Sequence, residues 1–436
     1  MEKSNDRDIV LSVVIVSYNC VNFLRFCLNS LYRCSDKRFE VIVVDNNSSD
    51  KIEKELPGEF PQARFIFHDF NPGFGTACNA GAEIAKGRYL VMLNPDTVVG
   101  EDFTGKIISF MESYPDCGGM GVYMQDGKGK FLKESKRGFP SLFRSFCRFS
   151  GVAALFPRSK FFAGYYAAQV NEREVAPVEI LSGACMVISC YAYKLTGGFD
   201  QRFFMYGEDI DLSWRLIKKG FVNYYNPDIS ILHFKGESTI KDKKYIYNFF
   251  YAMKLFYTIH ASNRFNSAFL FNAKLSLVSF FISILSKVAY VKLRFFNFFT
   301  KKEFDKSIKQ KRSLVIADSR NCIENNPVFK NYNIEKYLSL CDAKCWSEDK
   351  FLTQHPFKNR SLIFNVDDYP LSQLLAFINS VAITSYKSNS NRQCAKLFKY
   401  KKGSSFESVS YLLPSGNLMF CTSSLSGSTH VVSLTR

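Results

Sequence analysis

The first hundred residues alternate between short runs of β-branched apolar residues and stretches with helical spacing, and this alternation constrains the fold more than any other feature of the chain. Leu11–Ser17 is one apolar run, Val21–Tyr32 has helical spacing, Phe39–Asp45 is a second run and Arg64–His68 a third. A helix over Gly75–Lys86 is expected to stop at Gly87, and Tyr89–Asn94 makes a fourth strand. Strands that are apolar throughout and separated by helices specify an α/β fold, a mainly parallel sheet with helices on both faces. Such sheets bind ligands at the carboxyl ends of their strands. The polar clusters Ser17-Tyr18-Asn19, Asp45-Asn46-Asn47-Ser48-Ser49-Asp50 and Asn94-Pro95-Asp96 all fall at those ends. Three separate loops therefore converge on one rim.

Further along, 125–176 is punctuated by Gly127, Gly129, Gly138 and Pro140 and reads as a loop-like insertion over the site. Regular structure is expected again over Val178–Ser189, and a helix runs from about Glu208 to before Gly220. The pattern from Tyr245 to Phe299 is long and helical. After Lys311-Arg312 a separate small α/β unit begins, with strands expected at Ser313–Ala317, Ser361–Val366 and Asn417–Cys421 and a helix at Leu371–Ile378. The chain thus divides into a catalytic α/β domain over 1–240, a basic, Phe-rich helical region over 241–312 and a small α/β domain over 313–436. At 436 residues and 47% apolar, it can bury ordinary cores, which excludes disordered and collagen-like readings.

The net charge of +17 is unevenly placed: 241–312 holds fifteen Lys and Arg against three acids, interleaved with Phe. Such a mixture suits either nucleic acid or an anionic bilayer surface, and helix-period and contiguous Phe favours lipid over RNA. The longest apolar candidate, Ala268–Tyr290, is interrupted by Lys274 and Lys287 and is too short to span, so it is expected to lie on the membrane surface. A helical subdomain packed on the catalytic core is the alternative. Thirteen Cys without a C-x-x-C, behind a largely polar first nine residues, predict reduced thiols and a cytoplasmic chain without a cleavable signal.

Four places carry chemistry. Asp45, ending a buried strand, can accept hydrogen bonds from a ribose or a base imide, or close an Asx turn into the next helix. Asp96 can hold a divalent cation across a diphosphate, although Asn-Pro-Asp is also turn chemistry. Glu208, Asp209 and Asp211 open a helix, where carboxylates favour the dipole and Asp211 can pair with Arg215. Asp209 fits a general base that takes the proton of an attacking hydroxyl, with Glu208 binding the acceptor or bracing the base. Gly-Gly-Phe-Asp-Gln at 197–201 supplies a flexible polar turn just upstream. His233 follows an apolar run, where a hydrogen-bonded structural role is the commoner one.

Taken in series, Val-Ser-Tyr-Asn at 16–19, Val-Val-Asp-Asn-Asn-Ser-Ser-Asp at 43–50, Asn-Pro-Gly-Phe-Gly at 71–75 with Asn79-Ala80-Gly81, Asn94-Pro95-Asp96, Gly-Gly-Phe-Asp and Tyr-Gly-Glu-Asp-Ile-Asp-Leu-Ser-Trp-Arg resemble family 2 glycosyltransferases, nearest the rhamnosyltransferase-like branch. The resemblance covers roughly 10–240. It implies a GT-A fold, a nucleotide-diphosphate sugar donor (dTDP-rhamnose-like or a UDP-sugar), Mg2+ or Mn2+, and inverting transfer to a glycan or lipid-linked glycan at the inner face of the cytoplasmic membrane. On this basis Ser17, Tyr18, Asn19, Asp45, Asn47, Gly73, Asn79, Asn94 and Asp96 are expected on the donor, and Gly183, Phe199, Asp200 and Trp214 on the acceptor. Asp209 is expected as base beside Glu208, and Asp96 with His233 at the metal. Asn94 stands where many relatives have a second acid, and Cys78 where an Asn is common. The C-terminal unit resembles a degenerate nucleotide-binding α/β unit, with no G-x-G-x-x-G.

Three other readings compete. An inactive sugar-nucleotide sensor is opposed by the intact Asp45, Asp96 and Asp209, and a nucleic-acid-binding protein by the lipid-like Phe pattern. A nucleotidyltransferase would want a Gly- and Lys-rich phosphate loop near residue 20, where the chain has Asn19-Cys20-Val21-Asn22.

Overall fold

The structure, a computed structural model, describes residues 9–50, 52–127, 129–141, 143–144, 147–148, 152–156, 159–234 and 243–261, together with residues 276 and 373–374 and six strands between 312 and 432. Strands β1 (Leu11–Ser17), β2 (Phe39–Asp45), β3 (Arg64–Phe67) and β4 (Tyr89–Leu93) alternate with helices α1 (Val21–Tyr32), α2 (Ile52–Glu59) and α3 (Phe74–Glu83). After them come β5 (Thr97–Val99), α4 (Phe103–Ser113), β6 (Cys117–Gln125), β7 (Ala176–Pro177), β8 (Cys185–Ser189) and β9 (Val222–His233). The sheet order is β3-β2-β1-β4-β8-β6-β9-β5, with β7 on β9.

The α/β class expected from the sequence is the one observed, and β1 shows why. Every residue of β1 is buried, and its side chains alternate between two cores. Leu11, Val13 and Ile15 pack with Leu24, Leu28 and Leu31 of α1 and Ile107 of α4, whereas Val14 and Val16 pack with Ala77 and Ala82 of α3. Strands β3, β2, β1 and β4 pair in parallel. The sheet then changes character, because β8 runs antiparallel to both β4 and β6.

Two strands of this second half lie where the sequence pattern is silent. In β6, a Cβ on Gly118 would stand 2.4 Å from Phe221 Cβ and one on Gly119 would stand 2.6 Å from Leu181 Cδ1. Close packing excludes the β-branched residues that usually announce a strand. In β9, pairing with β6 jumps from Asn226 to Ser230, a bulge that accommodates Pro227. The expected element over Val178–Ser189 contracts to Cys185–Ser189, since 181–184 turns to meet the helix Glu208–Lys218.

The helix Lys243–Ala261 begins the basic, Phe-rich region, and its described part packs onto the catalytic unit. Phe250 and Phe256 are buried, and Ala252 and Phe256 cluster with Phe203, Phe139 and Trp214. For this helix the packed alternative holds. The expected span Ala268–Tyr290 lies outside the described residues apart from Ser276. No helix among the described residues is long and apolar enough to cross a membrane.

A second sheet has the order β11-β10-β12-β13-β14-β15, built from β10 (Arg312–Ile316), β11 (Asn333–Leu338), β12 (Ser361–Asn365), β13 (Ser408–Leu412), β14 (Leu418–Thr422) and β15 (His430–Val432). Three of these match expected strands within one residue. β11, β13 and β15 have no counterpart among the expected strands. The expected helix Leu371–Ile378 lies outside the described residues except at 373–374.

Candidate functional site

The donor-side rim is assembled by register. Ser17 pairs with Asp45 across β1 and β2, so the loops after these strands leave side by side. They are then locked together. Ser48 donates from its amide to Asp45 Oδ2 at 2.8 Å and from its hydroxyl to Asp45 Oδ1 at 2.6 Å, the Asx turn that is one of the two readings of this residue. Ser48 Oγ accepts the Asn19 amide at 2.8 Å, and Asn19 Oδ1 accepts the Ser49 amide at 2.7 Å. Asp50 Oδ2 accepts the Val21 amide at 2.9 Å and so satisfies the first turn of α1 from a neighbouring loop. Burial holds the Asp45 carboxyl above its ordinary range, and the two Ser48 bonds work against that rise.

The remaining donor candidates divide into exposed and structural groups. Tyr18 is exposed, whereas Ser17 is fully buried beside Cys20. Asn19 and Asn47 take left-handed φ values of 53° and 60°, and Asn47 donates to Asp69 O at 2.8 Å. Gly73 has φ of 94°, and a Cβ there would stand 2.3 Å from Phe204 O. Only glycine allows this backbone approach. Asn79 spends its amide on the chain itself: Nδ2 donates to Phe199 O at 2.8 Å, while Oδ1 accepts from Phe199 N at 2.9 Å and Tyr193 Oη at 2.5 Å. Cys78 is fully buried in the core beside Asn79 and does not line the rim.

Asp96 and His233 are brought together by the pairing of β5 with β9, in which Thr97 faces His233. Asp96 is 1% exposed, and its Oδ1 lies 3.4 Å from His233 Nε2. Neither Asp96 Oδ1 nor His233 Nδ1 has a hydrogen-bond partner. Orphaned buried polar atoms of this kind call for a ligand or ion. Among the described residues no group of three or more His, Cys, Asp or Glu could hold a metal by itself. Asp96 and His233 could hold a divalent cation only together with further ligands from outside this pair. Asn94, next to this pair, donates its amide to Ala184 O at 2.9 Å and accepts Thr97 Oγ1 at 2.7 Å on its carbonyl.

From Ala184 one residue leads to the second half of the rim. Gly183 donates its amide at 3.1 Å to Asp209 Oδ2, which is also ion-paired to Arg137. Arg137 further donates to Leu181 O at 2.5 Å. Ser213 braces the same turn, accepting Leu181 N at 3.1 Å and donating to Asp209 O at 2.6 Å. Glu208 is buried with Oε2 unpartnered. Burial first, and then the adjacent Asp209 charge, pushes the Glu208 carboxyl up to about 8. The two neighbours thus differ in surroundings: one is held by a guanidinium, and burial favours the protonated form of the other.

Of the acceptor candidates, Gly183 touches Asp209 directly. Phe199 is buried in the core under α3, and Asp200 pairs with Arg202 at 2.5 Å in an exposed turn. Trp214 packs against Phe139 with tilted rings, centroids 4.6 Å apart, and leaves its indole N–H unpartnered. Arg137 and Ser213, both bonded to Asp209, are contacts of the candidate site that the sequence reading misses. The available signal for Arg137 is a Lys-Arg-Gly at the start of a stretch, 135–171, without acids, and that Gly138 is required, since a Cβ would stand 2.1 Å from Gly164 O.

The Glycosyl transferase family 2 description matches residues 12–171. The N-acetylglucosaminyl-diphospho-decaprenol L-rhamnosyltransferase of Mycobacterium tuberculosis H37Rv is 31% identical over 53% of this chain and 78% of its own length. Rhamnosyltransferase WbbL of Escherichia coli K12 is 25% identical over 51% of this chain and 82% of its own. Among solved structures, GalNAc-T7 with UDP, GalNAc and Mn2+ superposes with a TM-score of 0.41 at 16% identity, covering 52% of this chain. The chain spans 44% of the length of GalNAc-T7.

Proposed function

The chain belongs to glycosyl transferase family 2, and from that premise we propose that it is an inverting enzyme working at the inner face of the cytoplasmic membrane. It moves a sugar from a nucleotide-diphosphate donor, dTDP-rhamnose-like or a UDP-sugar, to a hydroxyl of a lipid-linked glycan during polysaccharide synthesis. The observation that carries the reading is the continuity of one rim, from Ser17–Asp45 through Asn94–Ala184 to Gly183–Asp209. The mycobacterial relative, named for a diphospho-decaprenol substrate, supports a lipid diphosphate as the acceptor's carrier.

In this mechanism Asp45 receives the nucleoside, and Asp96 with His233 would hold a divalent cation, which when bound would supply positive charge for the departing diphosphate. Asp209 accepts the acceptor hydroxyl's proton as that oxygen bonds to the anomeric carbon. The bond from that carbon to the phosphate oxygen breaks, and its electron pair leaves with the nucleoside diphosphate. Arg137 and the Gly183 amide keep the Asp209 carboxylate oriented toward the incoming hydroxyl. Single displacement from one face inverts the anomeric centre.

The test incubates the purified chain with Mg2+ or Mn2+, a panel of sugar nucleotides and a lipid-diphosphate-linked acceptor. Nucleoside diphosphate release that depends on both substrates, with inverted configuration by NMR, is expected. Retained configuration would exclude Asp209 as a simple base.

A further inference from the structure

The insertion that carries Arg137 also carries an unusual surface. Between 135 and 171 the chain has six Lys and Arg, nine aromatic residues and no acid. Part of that aromatic content is exposed rather than packed away. Phe143, Leu155, Phe156 and Phe161 are 44%, 74%, 50% and 70% exposed. The three rings form one patch, because Phe162 joins them: its ring lies 4.9 Å from Phe156, 5.8 Å from Phe143 and 6.1 Å from Phe161. Leu155 adjoins Phe156 in the chain. Cations accompany the patch. Lys160 and Arg148 are exposed, and the Arg148 guanidinium lies 4.4 Å from the centroid of Tyr166.

A contiguous patch of large apolar side chains marks an interaction surface. Aromatic rings beside exposed cations, in a segment free of carboxylates, complement an apolar layer beneath an anionic one. A protein partner with an apolar face would not by itself account for the exclusion of acids over 37 residues. The placement adds a second argument. The same insertion grips the Asp209 carboxylate through Arg137 and packs Phe139 against Trp214, so its root lies at the site that an acceptor hydroxyl must reach in the proposed reaction.

We propose that Phe143, Leu155, Phe156 and Phe161 insert into the headgroup and upper acyl region of an anionic bilayer, with Lys160 and Arg148 at phosphate level, and so present the Asp209 rim to a lipid-linked acceptor. The inference rests on the acceptor proposed above, but the surface can be tested without turnover. It is distinct from the 241–312 region, whose described helix buries Phe250 and Phe256 against the catalytic unit.

The experiment uses the full chain carrying Phe161→Trp, a change at an exposed site, and compares its emission with that of the parent chain. Vesicles of brominated phosphatidylglycerol should blue-shift and quench the added emission, brominated phosphatidylcholine much less, and the difference should fade as salt rises. Phe156→Ser with Phe161→Ser should weaken vesicle binding at least about tenfold, since both rings lose their burial in the acyl region. Flotation without quenching of the added indole would put the membrane contact elsewhere and overturn the proposal. Emission already blue-shifted before vesicles are added would mean that the chain covers the patch itself, and a response to single-stranded RNA instead of vesicles would mean a nucleic-acid surface; either result overturns it too. Quenching without sugar transfer from any nucleotide sugar would remove the proposed reaction and leave the surface standing.

Discussion

The two halves of the main sheet hold polar groups at the same rim by opposite means. On the parallel side the contacts lie within and between two neighbouring loops: Asp45 is bonded by Ser48 three residues on, and the loops after β1 and β2 lock through Asn19, Ser48 and Ser49 across 29 and 30 residues. On the mixed side the reach is longer, with Arg137 of the insertion meeting Asp209 of the helix across 72 residues. A locally built rim survives damage elsewhere in the molecule. One assembled over such distances exists only when the whole domain is folded, so binding and stability should separate on the first side and move together on the second.

The largest expected effect falls on the remote side. Asp209→Asn should lower turnover by about 100-fold or more while nucleotide binding by calorimetry stays unchanged. Full turnover would sink the base assignment. Arg137→Ala leaves the Asp209 charge without its guanidinium in a largely buried site, and should cost about 2 kcal/mol in denaturant unfolding as well as lowering kcat. If activity falls with no loss of stability, the coupling of the two on this side is wrong. On the donor side of the rim Asp96→Ala should weaken donor affinity roughly tenfold when Mg2+ or Mn2+ is present, judged by the range for metal-site partners, and much less without it. An unchanged donor affinity in the presence of metal would remove Asp96 from the donor site.

The pH dependence sharpens the comparison further. The folded Glu208 carboxyl titrates at about 8 against an ordinary value of 4.5, so between these values the native state keeps a proton that the unfolded chain has released. That contribution to stability is fully present below about 4.5 and is lost as pH rises toward 8. Glu208→Gln should flatten this fall in Tm over the same interval, and an unchanged slope would place its origin elsewhere. The smallest effect is expected for His260→Ala, which removes a 2.7 Å contact to Asp211 Oδ1 while leaving Arg215 on Oδ2. About 1 kcal/mol is expected by thermal unfolding.

The same contrast explains what the sequence discloses. β1, β2 and α1 are legible to the residue because a strand buried on both faces must be apolar throughout, and Asp45 stands out as the first polar residue after such a run. β6 stays hidden because Phe221 and Leu181 leave room for glycine alone, and β9 because Pro227 bulges out of its ladder. Asp96 and His233 are separately visible. Their meeting depends on β5, three residues long, pairing antiparallel with the far end of β9. Arg137 carries no periodic signal, since a side chain in an irregular insertion is recognisable only by the carboxylate it reaches. Asn79 shows the converse: it lies in a motif that resembles the family's, yet its amide clamps the Phe199 backbone.

The contact between His260 and Asp211 joins the helix Lys243–Ala261 to the helix that bears Asp209 two residues earlier. Asp211 is fully buried and bonded by both Arg215 and His260, so this joint is stiff. Tension applied to this helix at Ala261 would pass through the joint into the Asp209 helix, so a pull at that point should disturb turnover before it unfolds the domain.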